Sequence, residues 1–452
     1  MTDIALIVLA AGKGTRMKSA IPKVMHKVAG RSLLGHVLAA ASELKPKQTV
    51  VVVGPDMEAV GAEAQRFLPN CTLAVQSERK GTAHAVSMAK AGLVRFSGTI
   101  LVLYADVPLI SAASIIALAA KIDSVMPAAI LGFEAANPHG YGRLLPNPKG
   151  GISAIREELD ATPAEKAITL CNSGIIAAQA DVLWKYLALI KDENAKKEFY
   201  LTDLIELLAK PGAGVGLVTC SEAEVAGVND RLQLAAIEAT LQVQYRRKAM
   251  LGGATLVDPD TVYFSADTRI GTDVVIEPNV FFGIGVTVGD NVQIFANSHI
   301  EGTSIGNGAK IGPFARLRPG AEIGDDAHIG NFVEIKKAVI GKGAKANHLT
   351  YIGDARVGAG SNIGAGTITC NYDGYEKHLT DIGAKVFVGS NSALVAPVKI
   401  GDGANIAAGS VVTADVPADS LAISRSELQV KEGWASRYRK MKEARKTAAK
   451  KV

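Results

Sequence analysis

The feature that most constrains this chain is an aliphatic residue at every sixth position through much of its second half, often followed by glycine. Two unbroken series carry this repeat: Ile305, Ile311, Leu317, Ile323, Ile329 and Ile335, and then Ile382, Val388, Leu394, Ile400, Ile406 and Val412. Neither the period of an α-helix nor the alternation of an ordinary strand fits these positions. A six-residue period is typical of a parallel β-helix, in which three short strands complete one triangular coil. We therefore predict a solenoid of about eight or nine coils within residues 252–425.

The repeat is interrupted between Cys370 and Asp381 by a segment that is too long and too polar to be another repeat unit. Insertions leave a solenoid without disturbing its stack and often build binding surface. We predict an extruded loop at residues 371–378. The residues alone leave open whether this loop serves a ligand or is a tolerated insertion.

Composition excludes several classes of protein. Of 452 residues, 48% are hydrophobic and 21% charged, which excludes a disordered or collagen-like chain and predicts two or three domains. Residues 4–9 have no basic start before them, so we expect a buried strand rather than a signal peptide. No segment has the roughly 18 consecutive apolar residues of a membrane span. The four widely separated cysteines form no zinc motif and favour a cytoplasmic location.

The net charge of +5 is concentrated at the C-terminal end. From residue 431 onward, nine Lys or Arg and two Glu give +7, which leaves −2 for the rest of the chain. We predict a basic helix or tail at residues 426–452, which either contacts ligand phosphates or is simply solvated. No other feature suggests a nucleic-acid partner.

Apolar strand-like runs alternate with helical stretches before the solenoid, which predicts a Rossmann-like parallel α/β sheet with covering helices at residues 1–229. Residues 230–251 predict a linker helix. Ligands of such sheets bind beyond the carboxyl ends of the strands. The first strand opens there into a turn with two glycines and the basic residues Lys13 and Arg16, followed by Lys23. This composition suits phosphate binding, although its spacing is neither that of a Walker loop nor that of a dinucleotide-binding loop.

The turn also carries a family resemblance. Its pattern Leu-x-x-Gly-x-Gly-Thr-Arg-Met, followed by Pro-Lys, resembles the signature loop of sugar-nucleotide pyrophosphorylases, and the hexads resemble those of left-handed β-helix acyltransferases. In this order, the two halves resemble the bacterial bifunctional N-acetylglucosamine-1-phosphate uridyltransferase and glucosamine-1-phosphate acetyltransferase family over essentially the whole chain. The left hand of the helix is implied by this resemblance alone.

The resemblance implies two reactions. The C-terminal domain is expected to transfer acetyl from acetyl-CoA to glucosamine 1-phosphate, and the N-terminal domain to transfer uridylyl from UTP to N-acetylglucosamine 1-phosphate with release of pyrophosphate. The resemblance further implies Mg²⁺, a homotrimer whose neighbouring chains share each acetyl-transfer site, and a role in peptidoglycan and lipopolysaccharide synthesis.

Asp106 and Asn229 are the expected Mg²⁺ ligands. Asp106 directly follows a buried strand, and Asn229 matches the amide ligand of the family. Mg²⁺ prefers oxygen ligands and keeps several waters, so one carboxylate, one amide oxygen and substrate phosphates suffice. Read without the family, Asp106 also fits a turn cap and Asn229 a helix N-cap.

Further residues of the uridyltransferase site come from the resemblance alone. Arg16 and Lys23 are expected to stabilise the charge on the phosphates. The other positions expected to bind the UDP-sugar are Leu9, Ala10, Ala11, Gly12, Gln76, Gly81, Thr82, Tyr104, Gly142, Glu157, Asn172 and Thr202. The chain departs from the family at Ala83 and Ala105, where glycine is common.

His348 is the expected general base of the acetyltransferase, because an imidazole with a pKa near neutrality suits deprotonation of an amine. A lone histidine at a β-helix turn is otherwise a surface residue. The resemblance assigns sugar-phosphate binding to Arg318, Lys336, Tyr351, Asn362 and Lys377, and acetyl-CoA binding to Asn371, Tyr372, Ser390, Ala408 and Arg425. Lys377 also fits a solvated loop charge.

Two alternatives remain open at this point. The first alternative to the bifunctional enzyme is a single-activity pyrophosphorylase, such as a glucose-1-phosphate nucleotidyltransferase whose β-helix serves only allostery and assembly. The second is a non-catalytic scaffold. His348 and Tyr351 argue against the first alternative. Asp106, Lys23 and Asn229 argue against the second.

Overall fold

The structure, a computed structural model, describes residues 3–148, 150–210 and 214–449. The chain divides into two compact units. The first extends to Lys248 and includes Phe264–Ala266, while the second comprises Ala249–Tyr263 and the chain from Asp267 onward. The helix Arg231–Leu251 covers the predicted linker segment, and most of it belongs to the first unit. The basic tail contains the helix Trp434–Ala449, and its last three residues lie outside the described part.

The first unit is built on a sheet for which nine strands are described. From one edge to the other, the main path runs Val215–Cys220, Ala128–Glu134, Leu170–Gln179, Thr99–Tyr104, Ile4–Leu9, Gln48–Val53 and Thr72–Val75. The hairpin Arg143–Pro146 and Ile152–Arg156 joins this path at Leu170–Gln179. The remaining helices of this unit are Leu33–Ser42, Glu58–Phe67, Thr82–Met88, Ala112–Ala120, Pro163–Lys166, Ala180–Leu187 and Asp203–Ala209.

The predicted Rossmann-like α/β sheet is confirmed, and most of its main path is parallel, but the sheet is mixed because one strand of that path and the hairpin pair in antiparallel fashion. Leu170–Gln179 runs antiparallel to both of its neighbours on the main path. The chain reaches this strand from the hairpin through the four-residue helix Pro163–Lys166. Parallel neighbours are usually joined by a helix that covers a face of the sheet, whereas the chain between Glu134 and Leu170 carries the antiparallel hairpin and this four-residue helix.

Helices cover both faces of the sheet. Along the central strand Ile4–Leu9, Leu6 and Val8 pack in one hydrophobic cluster with helix residues such as Leu34. The alternate residue Ile7 packs in a second cluster with Val86. A strand that is buried on both faces is apolar along its length, and the carboxyl end of such a strand is where the chain first meets solvent.

The second unit is a parallel β-helix. All twelve hexad aliphatic residues named above are buried. Successive residues of one column pair directly, as Ile294, Ile311 and Ile329 do, so the chain returns to the same face after 17 or 18 residues. The ten strands of one face are Thr255–Leu256, Val275–Ile276, Gln293–Ile294, Lys310–Ile311, His328–Asn331, Lys345–His348, Asn362–Ile363, Phe387–Val388, Asn405–Ile406 and Leu421–Ala422.

The other faces contain fourteen strands within the described residues. They are Arg269–Ile270, Phe281–Phe282, Thr287–Val288, His299–Ile300, Thr303–Ile305, Arg316–Leu317, Ala321–Ile323, Glu334–Ile340, Tyr351–Val357, Ile368–Cys370, Thr380–Ile382, Ala393–Val395, Val398–Ile400 and Val411–Val412. Each coil contributes one strand to the ten-stranded face, so these ten strands exceed the eight or nine coils expected. The first strand, Thr255–Leu256, precedes the regular repeat.

The predicted extruded loop is confirmed. Ile363 pairs with Val388, a step of 25 residues instead of 17 or 18. The extra residues form a small hairpin closed by a bridge between Tyr372 and Lys377. Asp373 holds its tip, since one carboxylate oxygen accepts backbone hydrogen bonds from residues 375 and 376 at 2.8 and 2.7 Å. Among the described residues, no helix is long and apolar enough to cross a membrane.

Candidate active sites

The glycine-containing turn lies at the carboxyl end of the first strand. A side chain at Gly12 would meet nothing within 4 Å, so the backbone is open to a ligand there. Gly14 has φ +62°, and a Cβ on it would lie 2.4 Å from Cβ of Lys23. The glycine therefore permits both the left-handed backbone and the close packing of Lys23 against the turn.

Four predicted residues meet at this edge of the sheet. Lys23 Nζ donates to Asp106 Oδ2 at 2.5 Å and to Asn229 Oδ1 at 3.2 Å. Arg16 Nη2 donates to the same amide oxygen at 3.0 Å. The backbone explains the meeting, because the carbonyl of Asp106 accepts from the N–H of Val228 at 2.9 Å and so fixes the segment that carries Asn229.

The donor set of this cluster fits Mg²⁺. The carboxylate of Asp106 and the amide oxygen of Asn229 already converge on one cationic group, the ammonium of Lys23. Both are hard oxygen ligands of the kind that Mg²⁺ prefers. No three His, Cys, Asp or Glu side chains of the described residues group as metal ligands. A cation here would therefore complete its coordination with phosphates and water.

A cavity of about 250 Å³ opens beside the cluster. The predicted residues that line it are Leu9, Ala10, Ala11, Gly12, Lys23, Gln76, Gly81, Thr82, Tyr104 and Asp106. Gln76 is almost fully buried, and its Nε2 donates to the carbonyl of Gly81 at 3.2 Å. Gly81 has φ +112°, and a Cβ on it would lie 2.4 Å from the carbonyl oxygen of Phe199. Only glycine fits this wall of the cavity.

Four of the residues predicted to bind the UDP-sugar lie outside the lining of this cavity but contact one another in pairs: Gly142, Glu157, Asn172 and Thr202. Thr202 Oγ1 donates to Glu157 Oε1 at 3.2 Å, and the N–H of Asn172 donates to the carbonyl of Gly142 at 2.8 Å. Burial raises the pKa of Glu157.

Tyr104 connects the two groups of residues electrostatically. Burial raises its pKa most, and the negative charges of Asp106 and Glu157 raise it further, so the phenol stays neutral. The cavity and the pair Glu157–Thr202 therefore adjoin at Tyr104.

Two charged residues that the sequence analysis did not single out also line the cavity. Arg79 Nε donates to the carbonyl of Ala11 at 2.8 Å, and Glu198 lies on the opposite stretch of chain next to Phe199. Neither belongs to a recognisable motif. The one available signal was the proximity of Arg79 to Gln76 in sequence.

In the second unit, three predicted cations lie close together. The pKa of Lys336 is lowered, chiefly by its contact with the ammonium of Lys377 and further by the charge of Arg318. Arg318 Nη1 donates to Glu334 Oε1 at 2.7 Å. The mutual repulsion of Lys336 and Lys377 would be relieved by a bound anion, and a phosphate matches this charge.

Asn371 is tied to the same region through Asp354. Its Nδ2 donates to Asp354 Oδ2 at 2.5 Å, and Asp354 is the negative charge that counters the lowering of the Lys336 pKa. Tyr372 lies on the extruded hairpin, with its hydroxyl donating to the carbonyl of Gly374 at 2.6 Å. The loop thus begins with a fixed amide and continues into an exposed aromatic ring.

His348 lies at a different corner of the coil. Its Nδ1 is 2.7 Å from Asn331 Oδ1, and the two residues pair directly in neighbouring strands. Lys336 pairs instead with Gly353, which lies two residues after Tyr351 in the strand that follows His348. Within one chain, the strand that starts at Tyr351 therefore separates His348 from the lysines. Asn362 lies on the face of His348, opposite Lys345.

The predicted acetyl-CoA residues Ser390, Ala408 and Arg425 form a column on successive coils. Arg425 Nη1 donates to the carbonyl of Ala408 at 2.7 Å. The N–H of Gly409, next to Ala408, donates to the carbonyl of Ser390 at 2.8 Å. This column lies along one edge of the β-helix.

Both halves of the chain match known protein families. Residues 6–166 match the MobA-like NTP transferase domain. Residues 302–337 and 380–414 match the bacterial transferase hexapeptide, and residues 285–312 match the hexapeptide repeat of succinyl-transferase. These repeats fit a left-handed parallel β-helix.

Curated relatives match nearly the whole chain. The chain is 52% identical over 447 residues to the bifunctional protein GlmU of Paramagnetospirillum magneticum, with 98% of each chain covered. It is 53% identical to the protein of the same name from Azorhizobium caulinodans, with 97% of each covered. The GlmU protein of Sphingopyxis alaskensis is 52% identical, with 99% of each covered.

Proposed function

The chain belongs to the family of bifunctional GlmU proteins, and from this premise we propose that it makes UDP-N-acetylglucosamine in two steps at two sites. It acetylates glucosamine 1-phosphate with acetyl-CoA in the β-helix and then joins the product to UTP in the N-terminal unit. The observation that carries this proposal is the near-complete coverage at about half identity, which includes a nucleotidyltransferase domain and hexapeptide repeats in one polypeptide.

We infer that uridylyl transfer occurs at the cluster of Lys23, Asp106 and Asn229. A phosphate oxygen of the sugar phosphate attacks the α-phosphorus of UTP, a new P–O bond forms, and the bond to pyrophosphate breaks. Arg16 and Lys23 stabilise the negative charge that spreads over the phosphates in the transition state. Gln76 and Gly81 hold the base, and Glu157 and Thr202 position the amino sugar.

Asp106 and Asn229 are the proposed Mg²⁺ ligands in this site. The bound ion would neutralise phosphate charge and orient the triphosphate. Lys23 already contacts both oxygens, so its ammonium lies where it also reaches the phosphates. The turn around Gly12 leaves backbone open toward them.

We infer that acetyl transfer uses His348 as general base. The amine of glucosamine 1-phosphate attacks the thioester carbonyl of acetyl-CoA, a C–N bond forms, and the C–S bond breaks as the CoA thiolate leaves. The proton of the amine passes to the imidazole. Arg318, Lys336 and Lys377 bind the sugar phosphate, since they place three positive charges together. Ser390, Ala408 and Arg425 hold CoA along the edge of the β-helix.

The separation of His348 from the lysine cluster supports a proposed homotrimer. Within one chain, the two groups lie at opposite ends of the strand segment that starts at Tyr351. A neighbouring β-helix packed beside this one would complete each site with residues of the second chain. The trimer also creates the groove in which we place acetyl-CoA.

We place the enzyme in the cytoplasm, where its product would supply peptidoglycan and lipopolysaccharide synthesis. All four cysteines are free, and none of them lies in a metal-binding group. Free thiols are the usual state in a reducing compartment.

One assay tests the function as a whole. The purified protein receives glucosamine 1-phosphate, acetyl-CoA, UTP and Mg²⁺, and the release of CoA thiol and of pyrophosphate is followed in the same sample. We expect thiol release without UTP, and pyrophosphate release only after acetylation. If pyrophosphate appears with glucose 1-phosphate while thiol never appears, the single-activity pyrophosphorylase is correct. If neither product appears, the scaffold interpretation is correct.

A further inference from the structure

Asn331 is the one side chain of the described residues that hydrogen-bonds to the imidazole ring of His348. The distance from His348 Nδ1 to Asn331 Oδ1 is 2.7 Å. The contact is fixed by the architecture, since Asn331 ends its strand directly opposite His348 in the next coil. Asn331 also accepts a backbone hydrogen bond, from the N–H of Leu349, at 3.0 Å. Two contacts therefore attach this corner of one coil to the corner of the next.

We propose that Asn331 is a positioning residue of acetyl transfer, which orients His348 and holds the proton on its Nδ1. This proposal rests on the proposed role of His348 as general base. An amide oxygen accepts and does not donate, so His348 Nδ1 must carry the hydrogen in this contact. A neutral imidazole carries one proton on its two nitrogens, which leaves the lone pair on Nε2. Nε2 is then the atom that takes the proton from the amine.

The need for such a contact follows from the exposure of His348. An exposed imidazole rotates freely and exchanges between its two tautomers, and only one orientation and one tautomer present a basic nitrogen to the substrate. Partners of the second ring nitrogen commonly fix both properties in histidines that bind metals or abstract protons. Asn331 is neutral, so it does this without placing a charge beside the imidazole.

Few charged groups surround this contact. On the paired strand, His328 interacts electrostatically with His348, and burial is the main reason that the pKa of His328 is lowered. Lys310 and Lys345 also act on His328. The strand Asn362–Ile363, which pairs with the strand of His348 on its other side, contributes no charge. Among the described residues, substitution of Asn331 therefore changes the hydrogen bond of the His348 ring and leaves these neighbours in place.

The experiment compares Asn331→Ala and Asn331→Asp in the full-length protein, with thiol release measured from pH 6 to pH 9. We expect Asn331→Ala to lower kcat/KM for acetyl transfer roughly tenfold to hundredfold, as is usual when the partner of a functional histidine is lost. Asn331→Asp keeps an acceptor and adds a negative charge. It should retain most of the activity at high pH, with the acidic limb of its profile, where the general base loses its proton, moved upward by about one pH unit.

Two controls distinguish a specific effect on the orientation of His348 from a general effect on the β-helix. Asn307→Ala removes an asparagine that also bonds to a neighbouring coil, through Asp290 N at 2.8 Å, but lies away from His348, and it should leave acetyl transfer unchanged. Uridylyl transfer to N-acetylglucosamine 1-phosphate should be unchanged in all three variants. In a His348→Ala background, Asn331→Ala should cost nothing further, because residues that act as a unit are not additive.

The proposal is overturned if Asn331→Ala keeps acetyl transfer within twofold of the wild type. It is also overturned if Asn331→Asp is as inactive as Asn331→Ala at every pH, since the acceptor would then be irrelevant. A further reduction by Asn331→Ala in the His348→Ala background would show that Asn331 acts elsewhere. If His348→Ala itself retains full acetyl transfer, the role proposed for His348 fails, and that result is distinct from the others.

Discussion

Replacement of Asp106 by Asn tests the uridyltransferase site most directly. Asn keeps the size of the side chain and one oxygen but removes the charge. In the structure, the carboxylate contacts Lys23 at 2.5 Å, and the two side chains are only 21% and 12% exposed. The substitution therefore leaves a largely buried ammonium whose partners are amide oxygens, with no carboxylate to balance its charge.

Two magnitudes follow from this geometry. Loss of a hydrogen bond to a charged group costs about 1.5–3 kcal/mol in stability, and the partial exposure of the pair favours the lower end of this range. Loss of a group that organises transition-state charge costs about 3–4 kcal/mol, or roughly a hundredfold to a thousandfold in kcat. We thus expect a folded protein whose uridylyl transfer falls by roughly a thousandfold.

The assay is pyrophosphate release from UTP and N-acetylglucosamine 1-phosphate, with thiol release from the β-helix as the internal control. Thermal unfolding of the same sample establishes that the variant is folded. The reasoning is refuted if Asp106→Asn retains uridylyl transfer within a few-fold of the wild type. A parallel loss of both activities would instead mean that the substitution disrupts the protein as a whole.

Three further predictions concern other parts of the molecule. His348→Ala should abolish thiol release but keep pyrophosphate release from N-acetylglucosamine 1-phosphate, and loss of both signals would contradict independent sites. Gly81→Ala should raise KM for UTP at least roughly tenfold, because its Cβ meets the Phe199 carbonyl at 2.4 Å at φ +112°; an unchanged KM would contradict that wall of the cavity. Burial raises the pKa of Asp203 from 3.8 to about 6, so its ionisation penalises the folded state above pH 4 and fully above pH 6. Asp203→Asn should therefore raise Tm at pH 7.5 and leave it nearly unchanged below pH 4, and an equal shift at both pH values would exclude this cause.

The β-helix was predictable because every repeat unit has the same pattern of one buried aliphatic residue in six positions. A six-residue period places one side chain, such as Ile329, inside the coil, and the same rule repeats until the loop at residue 371 interrupts it. The first coil was not predicted because its strand Thr255–Leu256 precedes the regular aliphatic positions. The antiparallel direction of the strand Leu170–Gln179 was not predicted, because an apolar run of residues does not indicate whether the strand is parallel or antiparallel to its neighbours.

The sites were predictable only in part. Asp106 and Lys23 stand out by motif and position, and the structure brings them into contact. Their contact with Asn229 depends on a backbone hydrogen bond between Val228 and Asp106, which spans more than a hundred residues and has no sequence signature. Arg79 and Asn331 have none either, because each acts on its neighbour through a contact made only by folding.

The backbone arranges the residues of the two proposed sites in different ways. In the first unit, parallel strands end together, so Asp106 and the turn after Leu9 meet within one chain, and this cluster is complete without a second copy. In the β-helix, equivalent corners stack along the axis, so contacts such as Asn331 with His348 run between coils, while different corners of one coil stay apart. The cations around Lys336 and the proposed base His348 lie at such different corners. Dilution below the concentration at which the proposed trimer forms should therefore reduce thiol release before pyrophosphate release, and equal loss of both would argue that each acetyl-transfer site is complete within one chain.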